Sequence, residues 1–395
     1  MDVTQLPSRT ELVERASAIG PTLRANIAWG EQNRRLHEET VEALTEAGVF
    51  RLMLPARYGG YEAGTRTAVE VLGQVAEGDP SAAWIGGVNA ITTFMTSLLP
   101  DEVQDEVFGN GDARLCGTLS PTGMCMPVEG GMMLSGKWGF ISGAQHATWQ
   151  VIVAVAPAPS PPGEFWPIMT VVPMSELQII DDWETSGLRG TGSVSTAAEN
   201  VFVPAQRILP LPLVLAEQYA SATNAASPVY RTPLLPTASA LSVGPVWGLA
   251  RAAKREFLDR LPGRKITYTA YDNQHDAPIT HLQVAEGSLL IDEVGFHARS
   301  VADLVDGKGA DGSAWTPEER ARARAGMGRA VRLAKSAVDV FGTASGGSSI
   351  YTSVPIQRLV RDIHAVNLHG LMHPDTNDEL YGRILCGLAP NTLYF

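Results

Sequence analysis

Disulfide chemistry has little to work with in this chain. It holds three cysteines, Cys116, Cys125 and Cys386, an odd number without CxxC spacing. They read as reduced thiols of a cytoplasmic protein. Positive charge is also short: 30 Lys and Arg against 42 Asp and Glu leave a formal net charge of −12, which makes nucleic acid an unsuitable partner. No uninterrupted apolar stretch reaches the ~18 residues of a membrane span. The opening MDVTQLPSRTELVERASAIG has no basic segment leading into an apolar run, so no secretory signal is expected. No GxGxxG opens a strand–helix unit, which argues against a tightly held nicotinamide. What is there is globular: 45% of the 395 residues are hydrophobic and 18% charged, enough for two or three domains.

Three textures follow one another. From about Arg9 to Val107 the apolar spacing is helical. Leu36, Val41, Leu44 and Val49 form one stripe and Val69, Leu72 and Val75 another. The stretch from Ser81 to Leu99 carries no charge, which predicts a buried helix, with Asp79 as its cap and Pro80 at its start. From about Ala113 to Pro210 the runs are short and β-like: Arg114–Leu119, Met132–Ser135, Trp149–Val155, Ile168–Val172 and Val201–Val203, broken by turns such as Glu129-Gly130-Gly131 and Pro157–Gly163. A Pro-, Ala- and Ser-rich linker is expected over Leu211–Pro236. Four long helical segments then suit an antiparallel bundle. The expectation is an α+β chain: an N-terminal helical domain (1–110), a central, mostly antiparallel β-domain (111–210) and a C-terminal four-helix bundle (211–395).

Several motifs carry the chemistry. Pro355–Gly370 reads PIQRLVRDIHAVNLHG, Leu134–Gly143 reads LSGKWGFISG and continues as AQHATW, and GLRGTGS (Gly187–Ser193) is followed by VFVP. Taken singly, each has a plainer reading: an amphipathic helix, a hairpin strand, a glycine turn. In this order they resemble the acyl-CoA dehydrogenase superfamily. Pro355, Arg358, Arg361 and Asp362 match its C-terminal signature. On that alignment the usual proton-abstracting glutamate falls at Gly370, its neighbouring tyrosine at His369, and a second glutamate at Ser353. The signature is present without the base. SGAQHATW looks like the aromatic hydroxylases of the superfamily, so the chain resembles its branch of two-component flavin-dependent monooxygenases.

The resemblance implies an oxygenase component that receives reduced flavin, FADH2 or FMNH2, from a separate NAD(P)H:flavin reductase. It would use molecular oxygen through a C4a-hydroperoxyflavin to hydroxylate a small phenolic or indole-type substrate. Alternatives within the fold are N- or S-oxygenation of an amino sugar or a thiophene-like compound, or a dehydrogenase with a relocated base. Residue by residue, Ser142 falls beside flavin N5 and His369 near the reacting oxygen, with His364 in reserve and His146 structural. Thr118, Leu119, Ser120, Phe140, Ile141 and Ser142 would meet the ring. Arg189, Thr191 and Ser193 would approach the phosphates, and Phe341, Gly346 and Gly347 would reach a neighbouring subunit's flavin in a homotetramer. Trp84, Asn89, Phe94, Met95, Tyr268 and Tyr271 are the candidate substrate wall. The His369/His373 spacing lacks a third ligand and HExxH, so no metal is expected. The run Arg320, Arg322, Arg324, Arg329 and Arg332 reads as a solvated or intersubunit helix face.

Overall fold

The structure is a computed structural model that describes residues 6–158 and 163–395. The helical first region is α1 (Arg9–Ala18), α2 (Gly20–Asn33), α3 (Glu38–Glu46), α4 (Thr65–Gly78), α5 (Pro80–Thr96) and α6 (Asp101–Phe108). The uncharged stretch is α5, buried along most of its length. Asp79 caps it as the sequence predicts: its Oδ1 accepts the Ser81 N–H at 2.9 Å.

The strands are β1 (Leu115–Gly117), β2 (Gly123–Val128), β3 (Gly131–Ile141), β4 (Trp149–Pro157), β5 (Phe165–Pro173), β6 (Gln178–Ile180), β7 (Val194–Pro204) and β8 (Leu209–Pro210). They form one sheet in the order β6-β7-β3-β2-β4-β5-β8, with β1 alongside β4. The pairings are antiparallel except β1–β4 and β2–β4. Most of the loop expected over Pro157–Gly163 lies outside the described residues. The expected strands sit inside longer ones, because the glycines that punctuate the sequence are tolerated within paired strands here. Gly136, for example, lies inside β3, opposite Gly123 and Ala198.

Beyond β8 the expected linker is shorter than its composition suggests. It contains the short helix α7 (Leu211–Leu215), and α8 (Leu234–Asp259) begins before the linker was to end, running through Pro245. Then come α9 (Pro278–Asp311), α10 (Pro317–Ala344), α11 (Pro355–Asn367) and α12 (Pro374–Leu385). Gly287 faces Phe341 while Val301 faces Gly326, so α9 and α10 run antiparallel. Gly248 lets α8 approach α4 closely: a Cβ there would lie 2.0 Å from the Gly73 carbonyl oxygen.

The arginine run on α10 is not a solvated face throughout. Arg324 is buried, donating from Nε to Asn377 Oδ1 at 2.8 Å and from its terminal nitrogens to the Leu371 and Tyr394 carbonyls. Burial pulls its pKa down to about 10. Arg320 pairs with Glu217, and Arg332 with Asp375 and Asp378. Helical periodicity locates such a stripe but not the α12 and C-terminal segments that cover it.

Candidate active site

The signature on α11 acts first as a clamp between the three regions. Arg358 lies 3.3 Å from Asp362 and 3.7 Å from Asp79, all three essentially buried. Asp362 Oδ1 accepts the Leu188 N–H at 2.7 Å, which ties the bundle to the turn before β7. Burial raises the pKa of Asp362 to about 6 against the pull of Arg358, and it raises Asp79 as well. Arg361 donates to the Ser186 carbonyl and, at 2.7 Å, to Glu31 on α2. Gly187 permits this close docking, because a Cβ there would lie 2.3 Å from the Arg361 carbonyl oxygen.

That turn sits directly against the end of β3. The β3–β7 register shifts between Trp138 and Ile141. In the shifted segment Phe140 takes a left-handed φ of 62° and leaves its ring 75% exposed, edge-on to Trp183 at 5.8 Å. A non-glycine residue in that conformation is strained, and a bulge re-aims the side chains around it. Ile141 turns into the core and Ser142 toward α5. Ser142 Oγ accepts the Trp84 indole N–H at 3.1 Å and lies 2.7 Å from Ser193 Oγ. Ser193 Oγ is 2.7 Å from Thr191 Oγ1, which donates to the Leu188 carbonyl at 2.7 Å. On its other side Trp84 meets His369 edge to face, ring centroids 5.4 Å apart.

Three residues singled out on separate motifs, Trp84, Ser142 and His369, therefore stand together. His369 is exposed as a residue. Desolvation by the protein packed near its imidazole pushes the pKa down to about 4, so the imidazole is neutral near pH 7. His364 stands elsewhere: it is exposed and bonded to Asp339 at 2.9 Å. His146 is buried further, and that burial, with Arg35 adding to it, holds its pKa near 4. Gly370, where the superfamily's base would fall, is exposed, and an added Cβ would meet nothing within 4 Å.

The surroundings of the other candidates differ, and those of Phe341, Phe94 and Met95 place them in the core. Phe341 fills the bundle core against Phe257, 5.5 Å away, and has no surface for a neighbour's ligand. Gly346 and Gly347, just beyond α10, are exposed. Phe94 stacks on Tyr230 at 6.1 Å, and it and Met95 are sealed in the helical core. Tyr268 and Tyr271 stand outward on the α8–α9 loop, Tyr268 fully exposed. Arg189 donates to the Glu31 and Thr185 carbonyls at 2.9 Å, so two of its guanidinium nitrogens serve the backbone. Thr191 and Ser193 are buried in the hydroxyl row. Asn89 is buried with its Nδ2 toward the Leu115 carbonyl and no partner for Oδ1. Thr118, Leu119 and Ser120 form an irregular segment after β1, where the Leu119 carbonyl accepts the Tyr394 hydroxyl at 2.9 Å. Sequence reasoning missed Tyr394, since a tyrosine next to the C-terminus belongs to no periodic pattern.

Residues 21–106 match the acyl-CoA dehydrogenase N-terminal domain and residues 240–374 its C-terminal domain. The structure superposes on XiaF from Streptomyces sp., solved with FADH2 and glycerol, with a TM-score of 0.91 at 30% identity over 97% of both chains. The chain belongs to the acyl-CoA dehydrogenase family. Within it the chain falls in the branch of flavin-dependent monooxygenases. The oxygenase subunit HsaA from Rhodococcus jostii is 29% identical over 94% of this chain and 97% of its own. The oxygenase component of an FADH2-dependent resorcinol hydroxylase from Rhizobium sp. is 28% identical over 99% of this chain and 97% of its own. As a family member the chain is a reduced-flavin-dependent monooxygenase. The residues present fit that cofactor: an outward aromatic ring at Phe140, and beside it a buried hydroxyl with acceptor capacity at Ser142. Among the described residues no cluster of His, Cys, Asp and Glu could hold a metal, and no helix is long and apolar enough to cross a membrane.

Proposed function

We propose that this chain is the oxygenase half of a two-component aromatic hydroxylase. It would place one atom of molecular oxygen on a phenolic or indole-type ring carbon, with reduced flavin supplied by a separate NAD(P)H:flavin reductase. One observation carries the reading: Ser142, Trp84 and His369, from three distant motifs, converge where the family's base is replaced by Gly370. The resorcinol hydroxylase among its relatives acts, by its name, on a phenol. Bound reduced flavin supplies the activation of oxygen. The chain's own residues hold and shield it. Ser142 would stand at the N5 edge and Phe140 against the ring, and Trp84 closes the space between Ser142 and His369. His369, neutral across physiological pH, can offer or accept one hydrogen bond without bringing a charge into the site. Exclusion of water slows the unproductive release of hydrogen peroxide.

The test supplies the protein with FMNH2 or FADH2, ¹⁸O₂ and a panel of phenols, indoles, amino sugars and acyl-CoA thioesters. Isotope in a phenol or indole product is the expected result. Product from an amino sugar alone, or an enoyl thioester without isotope, overturns the reading.

The same reading includes a homotetramer built on the bundle. Leu282, Leu289 and Phe296 recur every seven residues on α9 and are 71%, 61% and 64% exposed. Such a stripe on a helix calls for a helical partner. A second copy of the chain is the partner proposed here, and the Gly346–Gly347 loop beyond α10 is exposed and free to meet it. Sedimentation should show a tetramer, and Phe296→Arg should shift it to smaller species. A monomeric wild type would remove this part of the proposal.

A further inference from the structure

The row of hydroxyls behind Ser142 has a direction forced from both ends. Trp84 Nε1 can only donate, so Ser142 Oγ accepts from it. The Leu188 carbonyl can only accept, so Thr191 Oγ1, 2.7 Å away, must place its single hydrogen there. Two hydroxyl oxygens 2.7 Å apart need a hydrogen between them. With its own hydrogen used, Thr191 must accept from Ser193, and Ser193 must then accept from Ser142. The Leu188 peptide is itself held by its N–H on the buried Asp362 carboxyl, and all three hydroxyl residues are buried, so water does not scramble the order. Ser142 thus has no hydrogen left to offer and one lone pair free.

We infer that the Trp84–Ser142–Ser193–Thr191–Leu188 chain makes Ser142 a pure hydrogen-bond acceptor, so that the site selects the N5–H of reduced flavin over the bare N5 of oxidised flavin. The reduced ring carries a hydrogen on N5 and finds a matching lone pair. The oxidised ring presents a lone pair to a lone pair. Ser193 and Thr191 are positioning residues here, acting through Ser142. The inference rests on the placement of Ser142 at the N5 edge proposed above. It assigns to the chain the preference that a reductase-fed oxygenase needs if oxidised flavin is to leave after turnover.

The test is anaerobic titration of the full-length protein with reduced and with oxidised FMN and FAD, reading the ratio of the two dissociation constants. Ser193→Ala and Thr191→Val each free the Ser142 hydrogen for oxidised N5. Each should lower the ratio of oxidised to reduced dissociation constants about tenfold, the size of one exchanged hydrogen bond. That corresponds to a bound-flavin potential more negative by about 30 mV. Thr191→Ser keeps the row and should keep the wild-type ratio. Ser142→Ala should weaken reduced flavin selectively, and adding Ser193→Ala to it should change nothing further. If Ser142→Ala alters neither affinity, the N5 placement fails and the inference with it. If Ser142→Ala weakens reduced flavin while Ser193→Ala and Thr191→Val keep the wild-type ratio, the placement stands and the directed chain is wrong. A parallel loss of both affinities in the Ser193 and Thr191 variants also overturns it, since that is structural damage without redox selection.

Discussion

Replacing His369 with alanine is expected to slow oxygen transfer about 100-fold or more while leaving the fold intact. One positioned hydrogen bond in a shielded site is worth about 2.7–4 kcal/mol where developing charge must be held. Flavin oxidation continues, so product falls and free hydrogen peroxide rises to replace it. The ratio of hydroxylated product to peroxide per flavin oxidised is the measurement. The fold should survive, because His369 follows α11 on a turn and makes one aromatic contact, with Trp84. The pH profile adds a second check. Surrounding protein holds the imidazole pKa near 4, below the ordinary value of about 6.5. The neutral form therefore persists as pH falls through 6.5 and is lost only as pH approaches 4. Coupling should stay flat from about pH 8 to 5.5 as far as this group decides it. A wild-type midpoint near 6.5, or an unchanged product ratio in the variant, would remove His369 from the reaction.

Arg358→Ala should destabilise the protein by about 3–5 kcal/mol, because two buried carboxyls lose their shared cation. Asp79 caps α5 and Asp362 holds the Leu188 N–H, so the loss is felt in all three regions at once. A control at the half-exposed Lys335–Asp339 pair should cost less than about 1 kcal/mol. The loss should also depend on pH with a definite sign. Asp362 already titrates near 6 in the folded chain, above its unfolded value of about 3.9. The folded state therefore binds more protons, and stability declines as pH rises through that window. Without Arg358 both folded carboxyl pKa values rise further. The variant should be most impaired near pH 8 and recover part of the difference by pH 5.5. Denaturant midpoints at the two pH values decide this; an equal deficit at both would place the cost outside the carboxyls.

Whatever depends on local order was legible in the chain itself. The uncharged α5 and its Asp79 cap, the short β-runs, the long helices and the order of the three regions follow from periodicity, capping chemistry and turn residues, each decided within a few neighbours. The signature Pro355, Arg358, Arg361, Asp362, together with Gly370 in place of a base, pointed to the family and away from dehydrogenation. What no local pattern could decide was burial. Phe341, Phe94 and Met95 look as suitable for a ligand as for a core, and only their packing partners settle the matter. Arg324 sits in a charged stripe that reads as solvated until α12 and Tyr394 close over it. The hydroxyl row is the clearest case. Ser142, Thr191 and Ser193 are separated along the chain from Trp84 and His369 by dozens to hundreds of residues. Their shared chemistry exists only because a bulge in β3, the clamp of Asp362 on Leu188 and the buried α5 bring donors and acceptors within hydrogen-bonding distance. A hydrogen bond depends on a few tenths of an ångström and a direction, and both belong to the tertiary structure.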